Sequence, residues 1–142
     1  MALSAFAEKK VSIYIEGNLS NLQEQIVNGA FNSRITSIKD FSVFDRNDKF
    51  INSVTREHDY QTSGDVSESQ IRKIAEKYGV DYVISVSVIM EDSGIYMNAR
   101  LINTETGKVE KSISQDRTSK NNTTLKNLSN NVAYRLLNAA SK

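Results

Sequence analysis

Cysteine is absent from the chain, which excludes disulfides, thiolate metal ligands, cysteine nucleophiles and lipid attachment to a mature N-terminal cysteine. Proline is absent as well, in agreement with short connections between elements. No apolar run approaches the ~20 residues that cross a bilayer, so no transmembrane segment is expected. There is one histidine, no paired His or Cys set with metal-ligand spacing and no glycine-rich phosphate loop, so no cofactor or metal is expected. A net charge of +1 gives no compositional reason to expect a nucleic-acid partner.

What remains is a chain of 142 residues, long enough to bury one continuous core without metal or disulfide staples. Its charge is uneven: residues 1–71 carry 7 basic and 10 acidic side chains, residues 72–142 carry 11 and 7. At the start, Ala5-Phe6-Ala7 before Glu8-Lys9-Lys10 reads as the small-x-small end of a secretory signal. Residues 1–7 are then a signal remnant or tail, and 8–142 a single domain. The competing reading is a cytoplasmic N-terminus that is merely alanine-rich.

Val11, Ile13 and Ile15 alternate with polar residues and predict a strand that ends at Gly17-Asn18. Ser20 and Gln23 form a capping-box pair ahead of a helix striped by Leu22, Ile26, Val27 and Ala30. Phe41 to Phe44 is a second strand, and Asn47 caps a helix carrying Phe50, Ile51 and Val54 on one face. Ser67 with Gln70, and Val66 against Ile71, start a third helix with Ile71, Ile74, Ala75 and Tyr78 buried; Gly79 stops it. Asp81 to Met90 is rich in β-branched residues on both parities and belongs at the centre of a sheet. Asp92-Ser93-Gly94 turns into a strand with Ile95, Met97, Ala99 and Leu101 on one face. Thr104 to Gly107 turns again into a polar edge strand, Lys108 to Ser114. A last helix aligns Leu125, Leu128, Val132, Leu136 and Ala140.

"FSVFDR" at 41–46, Glu57 with "QTSG" at 61–64, "AEKYGVDYVISVSV" at 75–88 and "ARLINTETGKVEKS" at 99–112 together resemble the curli-assembly (CsgG) family. Its relatives include the lipoprotein activator of penicillin-binding proteins (LpoB) and the N-terminal domain of the Tol-system propeller protein. The resemblance covers about Val11 to Ser112. It implies an anticodon-binding-like α/β/α sandwich with a five-stranded mixed sheet, order 2-1-3-4-5, the fourth strand opposed to the rest, about four helices, and a place in the bacterial envelope. The chain departs from the family in lacking a lipidation cysteine and any loop long enough for a membrane hairpin, so an accessory or scaffolding role with an envelope protein partner is expected rather than a pore.

Glu57, His58 and Asp59 are consecutive on a helix, so their side chains splay by about 100° and do not converge on one atom. His58 with Asp59 and Ser63 has the residue types of a small hydrolase but not the geometry of base, orienter and nucleophile. His58 is therefore read as a partly buried histidine, with Gln61 and Ser63 bonding free carbonyls at the helix end. Arg46, Glu57, His58, Gln61 and Ser63 form a secondary candidate surface at the carboxyl end of the sheet. Tyr96, Asn98 and Arg100 alternate as in a single-stranded RNA-binding face, but helices expected on both faces of the sheet would cover them. The leading candidate for partner binding is the edge strand with its connection: Lys108, Lys111, Ile113, Arg117 and Lys120. An open edge accepts an added strand, and the cations attract an acidic partner.

Overall fold

A computed structural model of the chain describes residues 9–43, 73 and 75–140. The elements are β1 (Lys9–Gly17), α1 (Asn21–Thr36), β2 (Phe41–Val43), β3 (Tyr82–Glu91), β4 (Gly94–Asn103), β5 (Val109–Arg117) and α2 (Asn122–Ala140). One sheet holds all five strands in the order β2-β1-β3-β4-β5. β1 runs parallel to both β2 and β3, while β4 is antiparallel to its neighbours β3 and β5. The expected topology is the observed one, with β4 reversed.

Alternation on β1 works as expected: Val11 and Ile13 face α1 and α2, while Ser12 and Tyr14 face the other side. The capping box is formed, with Ser20 Oγ accepting from the Gln23 N–H at 3.2 Å and Gln23 Oε1 accepting from the Ser20 N–H at 2.9 Å. The helix stripe differs from expectation. Val27, Ala30, Phe31 and Ile35 are buried, whereas Leu22 is 58% exposed. Five residues at 100° each place Leu22 about 140° from Val27, on the opposite side of the helix.

α1 and α2 lie side by side and parallel on one face of the sheet. Gln23 of α1 reaches Asn122 of α2 at their N-terminal ends, and the Arg34 guanidinium lies 4.6 Å from the Tyr134 ring centre toward their C-terminal ends. Phe31, Leu125, Leu128, Val132 and Leu136 close the main core over Ile84, Val86, Met97 and Leu101. A smaller cluster on the second face joins Ala75 and Val80 to Val83 and Ile102. It includes the last turn of a helix that Gly79 ends at φ +73°, as its position predicts. The helix expected after Asn47, the capping box at Ser67 and the residues Ile71 and Ile74 lie outside the described residues.

The strand ends are tied by side chains. Thr104 Oγ1 lies 2.6 Å from the Val80 carbonyl, fastening the β4–β5 turn to the start of β3. Asp81 accepts from the Lys10 N–H at 2.8 Å. Asn18 acts as one more residue of β1: its amide donates to the Met90 carbonyl at 2.7 Å, and its oxygen accepts from the Met90 N–H at 2.8 Å.

Candidate functional site

β5 pairs with β4 on one side and, among the described residues, with no strand on the other. It is longer than its sequence suggests, continuing past Ser114 to Arg117. Which of its backbone groups are free follows from the turn. The Asn103 N–H donates to the Lys108 carbonyl at 2.9 Å, so odd-numbered residues of β4 point their N–H groups toward β5. Ala99 is opposite Ile113 and Met97 opposite Gln115, so those β5 residues bond inward. Ser112, Ser114 and Asp116 therefore direct their backbone groups outward. The Asp116 carbonyl is occupied, accepting from Arg117 Nη1 at 2.7 Å, which holds that guanidinium along the open edge.

The side chains divide by the same parity. Lys111, Ile113, Gln115 and Arg117 lie half-buried on the helical face, and Ser112, Ser114 and Asp116 are exposed on the other. Ile113 packs on the main core and bonds inward to Ala99, so a partner would meet the backbone of its neighbours Ser112 and Ser114 rather than its own. A bulge opposite Leu101 and Ile102 puts Glu110 out of register, with its carboxylate accepting from the Asn103 amide at 2.9 Å.

The five expected binding residues do not form one patch. Lys108 sits in the turn before β5 and Lys120 beyond its far end, a separation of roughly 30 Å along the strand. Lys120 is paired with Asp92 at 2.8 Å across the β3–β4 turn. That hydrogen bond, and then the lysine's charge, hold the Asp92 carboxyl below the usual range. Lys111 and Arg117 are the cations that flank the free stretch of edge. At the opposite end of β3, burial and then the charges of Glu110 and Asp81 raise the Tyr82 phenol.

The RNA-like alternation on β4 has a different outcome from the expected one. Tyr96 is not covered; it is 48% exposed beside its cross-strand partner Ile89. Its partner on β5, however, is Asp116, whose carboxylate on the same face disfavours a phosphate beside the ring. Asn98 is engaged by Ser114 Oγ at 2.6 Å. The secondary surface of Arg46, Glu57, His58, Gln61 and Ser63 lies outside the described residues.

One feature of this region was open to sequence reading and missed: no acidic residue follows Asp116. All of α2 is thus acid-free. Its helical spacing places Asn131 and Arg135, both exposed, on the side away from α1 and toward β5.

No family model matches the chain, and no curated protein matches it. Solved structures do. The LpoB C-terminal domain from Salmonella enterica aligns at 15% identity with TM-score 0.54, over 80% of this chain and 84% of that one. TolB from Acinetobacter baumannii aligns at 12% identity with TM-score 0.55, over 93% of this chain but only 29% of its own. The chain shares the fold of these proteins. A PelC dodecamer from Paraburkholderia phytofirmans has it too, at 12% identity and TM-score 0.54, over 93% of this chain and 86% of that one. At these identities the likeness concerns the fold alone, and it agrees with the fold that the resemblance over about residues 11–112 implies and with its LpoB and Tol-system members.

Proposed function

We propose that this chain is a non-enzymatic, exported accessory or scaffolding domain of the bacterial envelope, acting through protein–protein contacts. The observation that carries the reading is the open edge of β5, where outward backbone groups lie between Lys111 and Arg117. Unpaired strand edges are sites at which polypeptides add. The fold shared with LpoB and TolB domains and the Ala5-Phe6-Ala7 sequence support an envelope location.

Cell fractionation with N-terminal sequencing, followed by cross-linking in the native envelope, tests the proposal. The expected result is a periplasmic protein beginning at or near Glu8 and cross-linked to a second polypeptide. A cytosolic protein retaining residues 1–7 refutes it.

A further inference from the structure

We infer that the partner of the β5 edge is an extended polypeptide segment with two acidic residues six positions apart, apolar residues between them on the same face, added as a sixth strand. This rests on the proposed protein-contact function and specifies the partner's chemistry. Ser112 and Ser114 present both N–H and C=O outward, and Asp116 presents its N–H, enough to hold a short strand by backbone bonding alone.

The charge pattern sets the partner's side chains. Lys111 and Arg117 stand six residues apart on the helical face with half-buried Ile113 and Gln115 between them. A strand laid against β5 places its own side chains opposite these in the same alternation. Its helix-side residues therefore meet a cation, two largely covered positions and a second cation. Behind them stands α2, which has no acid to compete and adds Arg135 on that side. The Arg117 guanidinium already reaches over the edge to the Asp116 carbonyl, so an incoming carboxylate finds it in place. On the other face Asp116 repels an acid of the opposite parity near the Arg117 end, while Glu110, turned by the bulge toward Asn103 and Tyr82 on the helical side, has its carboxylate held by the Asn103 amide. The surface thus selects the sign of the partner's charges, and at the Arg117 end their parity as well. Lys120, held by Asp92, takes no part.

The test uses the unaltered protein and fluorescent synthetic peptides with valine and threonine between two glutamates six apart. One control replaces both glutamates with lysine. Two others carry backbone N-methyl groups on alternate residues, either on the edge-facing set or on the solvent-facing set. The glutamate peptide is expected to bind at least about tenfold tighter than the lysine peptide at low salt, with the gap narrowing as salt rises. Edge-facing methylation should abolish binding while solvent-facing methylation leaves it intact. The Lys111→Glu and Arg117→Glu double variant, checked for an unchanged circular dichroism spectrum, should prefer the lysine peptide. Equal binding of the two methylated peptides, or no preference for glutamate, overturns the inference. So does full displacement of the peptide by a single-stranded oligonucleotide that binds the double variant equally well. An exported protein whose envelope cross-links map to another face keeps the proposed function and refutes this inference. Peptide binding by a protein retained in the cytosol does the reverse.

Discussion

Two proline substitutions at adjacent positions of β5 should have opposite consequences, and the comparison tests the register on which the candidate site depends. Ile113 bonds inward to Ala99, so Ile113→Pro removes a ladder hydrogen bond and strands the Ala99 carbonyl, a loss of about 1 to 2 kcal/mol. It also withdraws a half-buried side chain from the main core, costing about 1 kcal/mol more. The sum is roughly 2 to 3 kcal/mol. Ser112 directs its N–H to solvent and its side chain is exposed, so Ser112→Pro forfeits no ladder bond and should cost less than about 1 kcal/mol. Urea unfolding followed by circular dichroism measures both: the Ile113→Pro midpoint should fall clearly and the Ser112→Pro midpoint little. Ser112→Pro should nonetheless weaken strand addition, because the lost N–H is one a partner would use. Equal destabilisation, or a larger loss at Ser112, means that the inward and outward residues are interchanged and that Ser112 and Ser114 offer no free backbone groups to a partner.

Gly17 and Gly29 should respond to alanine with opposite signs. At Gly17, φ is +142° and an added Cβ would collide with the Val88 carbonyl, so destabilisation of at least about 2 kcal/mol is expected in the same unfolding assay. Gly29 lies inside α1 on a groove that Ile26 and Ser33 line with Lys126 and Asn130 of α2, and nothing is near its missing Cβ, so alanine should stabilise by about 0.5 to 1 kcal/mol; a loss there would show that this groove is filled. Because Lys120 depresses the Asp92 pKa, this pair's support of the fold is present above the ordinary aspartate pKa and lost as pH falls through the lowered value. An NMR titration should show the Asp92 carboxyl moving upward in Lys120→Ala, and an unchanged titration would rule the pairing out.

The strongest sequence signals were those in which one local rule had a single outcome. β-branched residues on both parities from Tyr82 to Met90 placed β3 at the centre of the sheet, and the Ser20–Gln23 pair fixed where α1 begins. Leu22 misled because its four-residue spacing to Ile26 matches a helical row, although the row that packs runs through Val27, Phe31 and Ile35. The candidate edge was visible as polar and lysine-bearing. The direction of each backbone group was not, because it depends on how the Thr104–Gly107 turn closes and on where the bulge falls. Lys120 looked available because its ion-pair partner, Asp92, stands 28 residues away in sequence. The acid-free stretch after Asp116 needed only a count, and becomes informative once α2 lies beside β5.

The parallel pairing of β1 with β3 also governs how the fold is reached. β3, β4, β5 and α2 follow one another through short connections, so their contacts form between near neighbours. β1 must instead cross 71 residues before Lys10 meets Asp81, and closing a loop of that length costs ~4 kcal/mol of chain entropy. Until it docks, β3 presents a second open edge, richer in valine and isoleucine than β5 and without its guarding charges. Late protection of β1 amides in pulsed hydrogen exchange would mark this order, whereas simultaneous protection of β1 and β4 would exclude it. The interval between those two events is when the chain is most exposed to association through the wrong strand.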